Sequence, residues 1–379
     1  MKIGILTLPL HTNYGGILQA YALQTVLERM GHDVFVFQNN YDGIRRIPAR
    51  KLTLIWGIRL LRKIQGSSSP VFLERQKKSE LPIITQNVRK FVNHNIHTYK
   101  VDDLNSISAD RFDTIVVGSD QIWRRSYARR IWKTDIQNVF LRFASEWQIK
   151  RIAYAASFGI DRWDYTTIET EECASLAKKF VGISVREDTG ITLCSNYLGI
   201  KAEHVLDPTM LLSKDDYIKL IEQSKVPKNE GTLFSYILDR NTEKDNLVER
   251  VALDHNMQTY SITLSTDYSL PVEKRICPSV ETWLRAFYDA KFVVTDSFHG
   301  CVFSIIFGKP FIALGNTNRG MARFNSLLKM FCLEDHLVQN MNDYSSMKSY
   351  SLSEKNNERL VAFLELSMNF LRKTLNTKR

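Results

Sequence analysis

The chain of 379 residues has little cysteine and no long apolar run. Its five cysteines, Cys173, Cys194, Cys277, Cys301 and Cys332, are scattered and form no C-x-x-C pair. This argues against a disulfide framework and a zinc site, and it favours a reducing, cytoplasmic location. No apolar run reaches the ~18 residues that a membrane span needs. The apolar residues 3–8 are too few for a signal peptide and are typical of a first strand.

The 41 acidic residues are fewer than the 51 basic ones, which leaves a net charge of +10. The imbalance is greatest in residues 43–79, where a single acid, Glu74, stands among ten basic side chains: Arg45, Arg46, Arg50, Lys51, Arg59, Arg62, Lys63, Arg75, Lys77 and Lys78. Apolar residues of segment 52–64, including Trp56, are interleaved with this charge. Such a basic helix can lie on an anionic membrane surface. The alternative is a solvated insertion whose apolar face packs on its own domain.

The N-terminal segment predicts a βαβ unit that lacks a dinucleotide fingerprint. A strand at 3–8, a loop containing Gly15 and Gly16, a helix at 17–30 and a strand at 34–37 follow one another. The G-x-G-x-x-G pattern is missing, and the second strand ends in amides rather than in an acid that would hold a ribose. A nicotinamide cofactor is therefore not expected, although two glycines let the backbone approach a ligand closely.

Strands and helices alternate along the rest of the chain, with a polar linker at 225–231. We predict an α/β fold with two doubly wound, Rossmann-like domains that face each other across a cleft, a GT-B-like arrangement. The N-terminal domain is expected at 1–224, on the acceptor side, and it carries the basic insertion 43–79. The C-terminal domain is expected at 225–345, on the donor side. The segment 346–379 is expected to form a helix that packs back on the first domain.

The most informative stretch runs from a buried strand at 292–294, through Asp296, Ser297, Phe298, His299 and Gly300, into an apolar helix at 301–307. Ligands bind to open α/β sheets where a loop leaves a strand's carboxyl end. A helix N-terminus there favours an anion, and an imidazole can bind that anion or transfer a proton. The alternative is that His299 only forms a hydrogen bond across a turn.

A second strand, at 112–117, also ends in a small polar loop. Asp120 and Gln121 in this loop are suited to holding sugar hydroxyls, and Trp123 is suited to stacking on a ring face. The alternative is that Asp120 caps a helix.

Six ordered motifs together resemble those of the polysaccharide pyruvyl transferase family. They are residues 13–23, Gly118-Ser119-Asp120-Gln121-Ile122-Trp123, residues 154–159, Ser184-Val185-Arg186-Glu187, Asp207-Pro208-Thr209 and Asp296-Ser297-Phe298-His299-Gly300. The resemblance implies a GT-B-like fold. It also implies transfer of a pyruvyl group from phosphoenolpyruvate to hydroxyls of a cell-surface glycan, which gives a ketal. Phosphoenolpyruvate is then the co-substrate, and neither a cofactor nor a metal is expected.

The resemblance and the chemistry of this reaction assign candidate roles. His299 is the histidine of the phosphoenolpyruvate site, and Asp120 or Asp296 is placed to take a proton from the acceptor. Donor binding is expected from Arg186, Ser297, Phe298, Gly300, Arg319 and Arg323. Acceptor binding is expected from Asn13, Tyr14, Gly15, Gly16, Ser119, Gln121 and Trp123. Relatives often carry arginine and leucine where this chain has Ser297 and Phe298, so we expect Arg319 or Arg323 to replace that arginine.

Two other functions compete with this interpretation. A GT-B glycosyltransferase would use a nucleotide-sugar donor, and a non-catalytic protein would bind anions or nucleic acid through its basic patches. If the protein is a pyruvyl transferase, its expected partners are phosphoenolpyruvate, a glycan or lipid-linked oligosaccharide acceptor and an anionic membrane surface. Nucleic acid is not an expected partner. The protein is then expected in the cytoplasm, peripherally at the inner face of the membrane.

Overall fold

The chain forms two parallel β-sheets with helices packed around them. The computed structural model describes residues 1–379 except 45, 46, 68, 263, 264, 266, 317–319, 378 and 379. The strands are β1 Lys2–Leu6, β2 Asp33–Gln38, β3 Thr98–Lys100, β4 Thr114–Val117, β5 Lys150–Ala156, β6 Gly182–Val185, β7 Glu203–His204, β8 Leu233–Tyr236, β9 Thr259–Tyr260, β10 Phe292–Thr295, β11 Phe311–Leu314 and β12 Leu337–Val338.

Thirteen α-helices are found in the described residues. They are α1 Tyr14–Arg29, α2 Ala49–Ile64, α3 Leu73–Ile84, α4 Gln86–Asn95, α5 Arg125–Tyr127, α6 Thr167–Ala177, α7 Asp188–Leu193, α8 Lys214–Ser224, α9 Thr242–Asp254, α10 Val280–Asp289, α11 Phe298–Ile306, α12 Ala322–Phe331 and α13 Glu354–Asn376. Short 3₁₀ turns lie at Leu104–Ser106, Ile136–Phe140, Arg142–Ala144, Pro208–Leu211, Val272–Arg275, Glu334–His336 and Met341–Asp343, and π turns lie at Ala128–Trp132 and Cys194–Leu198.

Both sheets have a doubly wound strand order. The first is β3-β2-β1-β4-β5-β6-β7, and the second is β12-β11-β10-β8-β9. Every strand pair is parallel, as in Ile3 opposite both Val34 and Thr114, and Val293 opposite Phe311 and Phe234. The predicted α/β class, with two Rossmann-like units in a GT-B-like arrangement, is therefore confirmed.

One hydrophobic core lies between the two units, and a smaller core covers the far side of each sheet. Ile3 and Ile5 of the first sheet share the central core with Val293 of the second sheet and with Trp283 and Phe303 between them. The alternate residues of the same strands face outward into separate cores. Apolar side chains cover both faces of each sheet, which is why the central strands are largely apolar rather than alternating with polar residues.

Two helices begin earlier than the sequence pattern predicts. Gly15 and Gly16 lie in the first turn of α1 rather than in a loop before it, since the N–H of Ile17 donates to Asn13 at 3.0 Å. His299 and Gly300 likewise lie in the first turn of α11. The polar and glycine residues of these turns are typical of a loop, so the sequence pattern did not show the helix starts. The N–H groups of a first helical turn have no partner within the helix and can bind a ligand in front of it.

Helix α13 runs along the first unit although it follows the second unit in the chain. Phe370 is buried, with its ring centroid 6.2 Å from that of Tyr154 on β5. Ser367 accepts a hydrogen bond from the N–H of Leu206 at 2.9 Å. Helix α13 therefore helps to close the core of the first unit.

The described part of the basic insertion forms α2 and the start of α3. Glu74 on α3 accepts from Arg59 at 2.8 Å and from the indole of Trp56 at 3.2 Å, which joins the two helices. No residue of α2 is buried. Its exposed apolar side chains are Leu54, Ile58, Leu60, Leu61 and Ile64, with exposed fractions between 44% and 76%.

Among the described residues, no helix combines the length and the apolar character needed to cross a bilayer.

Candidate functional site

A cleft of about 800 Å³ lies between the two units. It opens where the loops leave the carboxyl ends of β1, β4, β8 and β10. In the first sheet β1 lies beside β4, and in the second sheet β8 lies beside β10. In each pair the chain leaves the two strands in opposite directions along the sheet. Ligands of doubly wound sheets bind at such switch points. The fold thus brings two ligand-binding edges to face each other.

Most of the predicted site residues line this cleft or lie directly behind it. Asn13, Gly15, Asp120, Gln121, Ser297, Phe298, His299 and Arg323 line it. Arg186 and Gly300 are buried beside these residues. Arg319 lies outside the described residues, so its predicted donor contact stays a prediction. The catalytic and binding roles of all these side chains also remain predictions.

His299 is fixed by the helix start on which it lies and by Gly15 opposite. Ser297 caps α11, because its Oγ accepts from the N–H of Gly300 at 3.3 Å. The imidazole is 7% exposed. A Cβ at Gly15 would lie 2.0 Å from its Nδ1, so only glycine leaves room for this ring. Within the described residues, Nε2 has no hydrogen-bond partner and lies 3.7 Å from Oδ2 of Asp207.

Asp207 is a site residue that the functional assignments from sequence missed, although its Asp-Pro-Thr motif was recognised. It is fully enclosed, and it accepts from Arg186 at 2.8 Å and from the N–H of Thr209 at 3.0 Å. Burial by itself would raise the pKa of Asp207, but His299 and Arg186 outweigh burial and hold it well below its usual range. A carboxylate at this place attracts the imidazole of His299 and helps to orient the ring.

Arg186 is a buried charge directly behind the cleft-lining residues Asp120 and Phe298. Its side chain is 1% exposed, and it donates to Asp207 at 2.8 Å and to Asp120 at 3.3 Å. Burial lowers the pKa of an arginine, yet these two carboxylates, with Glu187 nearby, raise the pKa of Arg186 above its usual value. Two of its nitrogens are thus committed to protein carboxylates, which favours a positioning role over direct donor binding.

Phe298 lies between two arginines of the cleft. The guanidinium carbon of Arg186 is 4.6 Å from its ring centroid, and that of Arg323 is 5.7 Å away. Burial, followed by repulsion from Arg186, lowers the pKa of Arg323 to about 10, so this side chain remains charged at neutral pH. The face of an aromatic ring attracts a guanidinium group, so Phe298 stabilises both arginines.

Two aspartates were candidates for the acceptor's base. Asp120 is 3% exposed, and its oxygens accept from Arg186 at 3.3 Å and from Asn13 at 3.4 Å rather than capping a helix. Asp296 is fully buried and accepts from the N–H of Leu238 at 2.6 Å and from Lys244 at 2.6 Å. Asp296 therefore holds the loop after β8 in place, and Asp120 is the better candidate for the base.

Four predicted acceptor residues do not line the cleft. Trp123 is fully buried and stacks on Phe140 at 4.6 Å, so the expectation that it stacks on a sugar is corrected. Ser119 is buried and donates to Gln19. Tyr14 donates to the carbonyl of Pro278 at 2.8 Å and so ties α1 to the second unit. Gly16 lies in α1 behind Asn13. The rule that ligands bind at the carboxyl ends of parallel strands located the loops correctly. It did not predict which side chains of these loops point into the cleft.

Three further residues of the cleft wall were not among the site residues predicted from the sequence. They are Arg124, Tyr127 and Arg130, on and beside the short helix α5. A cluster of arginines does not by itself show which members face a cleft. Within the described residues, no group of three or more His, Cys, Asp or Glu side chains is arranged to hold a metal ion.

Comparison with known proteins identifies a family for most of the chain. The model of the family described as Polysaccharide pyruvyl transferase matches residues 13–318. This range contains α1, the loop after β4 and the His299 stretch. No match was found among curated proteins.

Solved structures of similar size resemble the chain only distantly. MurG of Acinetobacter baumannii is 10% identical with a TM-score of 0.47, covering 98% of this chain and 99% of that one. UDP-GlcNAc 2-epimerase of Methanocaldococcus jannaschii is 15% identical with a TM-score of 0.41, covering 100% and 94%. UGT89C1 of Arabidopsis thaliana is 9% identical with a TM-score of 0.46, covering 97% and 94%. TM-scores below 0.5 are too low to support a conclusion on fold or function.

Gly15→Ala should destabilise the fold through His299. The added methyl would lie 2.0 Å from Nδ1, and such overpacking costs about 1–3 kcal/mol of unfolding free energy. The cost should largely disappear in a His299→Ala background, as urea unfolding of the four proteins in the cycle would measure. Gly57→Ala is the control, because no atom lies within 4 Å of its added methyl. An equal cost of Gly15→Ala in both backgrounds would contradict the described contact.

Asp207→Asn should destabilise the fold most near neutral pH. The pKa of Asp207 in the folded protein lies below its ordinary value of 3.8. Its carboxylate therefore stabilises the fold above that value, and the contribution is lost as the pH falls toward the folded-state pKa. Breaking the buried pair with Arg186 should cost about 3–5 kcal/mol at neutral pH.

Urea unfolding at roughly pH 7 and roughly pH 3 checks this expectation, and the difference between wild type and Asp207→Asn should be smaller in acid. The exposed Asp102, replaced by Asn, is the control and should change little at either pH. A difference that does not depend on pH would mean that the Asp207 charge does not stabilise the fold.

Proposed function

This chain belongs to the polysaccharide pyruvyl transferase family, and we propose that it transfers a pyruvyl group from phosphoenolpyruvate to sugar hydroxyls. The acceptor is a cell-surface polysaccharide or its precursor, and the product is a pyruvate ketal. The observation that carries the proposal is the position of His299. It lies in the first turn of α11, in a cleft between two units, next to Asp207 and near Arg323.

The charges of the cleft suit this donor. Phosphoenolpyruvate carries a phosphate and a carboxylate, which need cations and N–H donors at fixed positions. His299, Arg323 and the free N–H groups at the start of α11 offer them on the wall of the second unit. Arg323, close to Phe298, takes the place of the arginine that relatives carry at position 297. Arg186 holds Asp207 and Asp120 in register behind them.

The chemistry needs proton transfer and stabilisation of negative charge. Two acceptor hydroxyl oxygens bond to the central carbon of the pyruvyl group while the bond to phosphate breaks. One hydroxyl proton ends on the methylene carbon, which becomes a methyl group, and the other ends on the released phosphate. His299 protonates the donor or holds the phosphate, and Asp120 takes a proton from the acceptor. The donor supplies its own leaving group, so we propose no cofactor and no metal.

The acceptor lies against the wall of the first unit in this proposal. Asn13 and Gln121 are on this wall and offer amide groups to sugar hydroxyls. The acceptor is a glycan or a lipid-linked oligosaccharide, and no nucleic acid is involved.

We also propose that the protein works in the cytoplasm, peripherally at the inner face of the membrane, through α2. On this helix Leu52, Ile55, Trp56 and Arg59 are the partly covered positions, whereas the apolar side chains on the opposite side are exposed. At helical spacing, Leu54, Ile58 and Leu61 form one stripe, flanked by the exposed Arg50, Lys51 and Arg62. An apolar stripe with basic flanks suits the interface of an anionic membrane.

His299→Ala should lower turnover by roughly 10²–10⁴-fold, the usual contribution of a general acid or base. Phosphate release from phosphoenolpyruvate with a panel of sugar acceptors measures turnover, and a thermal melt beside it shows whether the fold is intact. The exposed His94 on α4, replaced by Ala, is the control and should keep wild-type turnover. Wild-type turnover in a folded His299→Ala protein would remove the proposed role. Transfer from a nucleotide sugar without phosphoenolpyruvate turnover would favour a glycosyltransferase.

Replacing Leu54 and Leu61 together by Ser should weaken binding to vesicles that contain anionic lipid. Each exposed leucine loses its burial in the interface, and each remaining basic side chain contributes only about 1 kcal/mol. Vesicle sedimentation at low and high salt measures the effect. The control replaces Ile168 and Leu253, which are 68% and 78% exposed on other helices, by Ser. Equal losses in both variants, or no binding by the wild type at low salt, would contradict the proposal.

A further inference from the structure

Two arginines of the cleft wall, on the first unit, flank one tyrosine ring. The guanidinium carbons of Arg124 and Arg130 lie 5.0 Å and 4.9 Å from the ring centroid of Tyr127. All three residues line the cleft. Arg124 also donates to Gln121 at 2.7 Å, which joins the pair to the loop after β4. Both guanidinium groups therefore lie beside one ring of the cleft wall.

These two arginines differ from their neighbours in the sequence. Arg125 and Arg129 both pair with Glu169, at 2.7 Å and 2.9 Å. In the described part of the chain, neither Arg124 nor Arg130 forms an ion pair with a carboxylate, whereas Arg125 and Arg129 share the carboxylate of Glu169.

Each of the three aspartates that line the cleft has another partner. Asp120 pairs with Arg186, Asp296 pairs with Lys244, and Asp239 accepts from Asn316 at 2.8 Å. The two guanidinium groups therefore add positive charge to a cleft that already has His299 and Arg323 for the donor. Guanidinium forks bind phosphate oxygens in a bidentate manner, and two of them offer more N–H donors than one carboxylate can accept.

We propose that Arg124, Tyr127 and Arg130 form a second anion subsite, which binds a diphosphate on the glycan acceptor. This inference rests on the proposed function, because it assigns the donor to the wall of the second unit and the acceptor to the first. The proposed acceptor is a sugar joined to a diphosphate, and the other end of the diphosphate carries a prenyl chain or a nucleoside.

The position of the subsite suits a diphosphate that is held at a membrane. Asn39 donates to the carbonyl of Ile131 at 3.2 Å, which holds the segment after Arg130 against the end of β2. Tyr41 and Gly43 then line the same cleft. Helix α2 begins at Ala49, six residues after Gly43, so its start is within about 22 Å of the cleft wall. A prenyl diphosphate at a membrane that α2 contacts is thus within reach of the arginines.

Calorimetry on the full chain tests the subsite without requiring turnover. The probes are farnesyl diphosphate-linked N-acetylglucosamine, UDP-N-acetylglucosamine and the methyl glycoside of N-acetylglucosamine, with phosphoenolpyruvate measured beside them. Arg124 and Arg130 are replaced together by Gln. The matched control replaces Arg129 and Lys133 by Gln, which removes the same charge from the same segment at positions that do not line the cleft. Thermal melts establish that both variants are folded.

The Arg124/Arg130 variant should bind at least one diphosphate probe about 10- to 100-fold more weakly than wild type, the loss expected for charge-assisted hydrogen bonds. The control, the methyl glycoside and phosphoenolpyruvate should show less than about twofold change. Preference for the prenyl or the nucleotide probe identifies the source of the diphosphate.

Three results would overturn the subsite: no wild-type binding of either diphosphate probe, unchanged binding in the variant, or an equal loss of phosphoenolpyruvate binding. Failure of the proposed function is separate, because it would appear as wild-type protein that neither binds nor turns over phosphoenolpyruvate.

Discussion

A buried guanidinium between two carboxylates is the interaction on which the cleft depends. Removing an ion from water costs several kcal/mol, so Arg186 can be buried only because Asp207 and Asp120 accept from it at 2.8 Å and 3.3 Å. These three residues follow β6, β7 and β4, and their pairing fixes three loop ends relative to one another. Phe298 of the second unit covers the guanidinium at 4.6 Å. The next residue, His299, is thereby placed beside Asp207.

The shared hydrophobic core holds the two walls of the cleft together. Side chains of both sheets pack into one continuous core, and Tyr14 joins α1 to the second unit through the carbonyl of Pro278. Interfaces between domains are usually more polar, and motion across them is the usual expectation. Here the apolar contact between the two units fixes the distance between their switch points. Donor and acceptor groups can therefore be held at fixed separation before any ligand arrives, which lowers the cost of ordering them.

The sequence was sufficient for the fold class, the strand-end loops and the His299 stretch, because these depend on local patterns. Apolar runs followed by polar turns predict the carboxyl ends of parallel strands, which meet at one edge. The sequence was insufficient where contacts join residues that are far apart in the chain. Trp123 follows a polar loop, but its ring packs under Phe140. Asp207 acts beside a histidine 92 positions further along the chain. Arg124 and Arg125 are adjacent, and only the three-dimensional position of Glu169 distinguishes the paired one from the other.

The return of α13 to the first unit has a consequence for how the protein is made. Strand β5 is synthesised more than 200 residues before Phe370, whose ring packs near Tyr154 and helps to cover that face of the sheet. A nascent first unit therefore leaves the ribosome with an uncovered apolar surface and cannot complete its core until residues 354–376 have been translated. During this interval the sheet is a natural substrate for chaperones, since exposed apolar surface on a partly folded chain promotes aggregation.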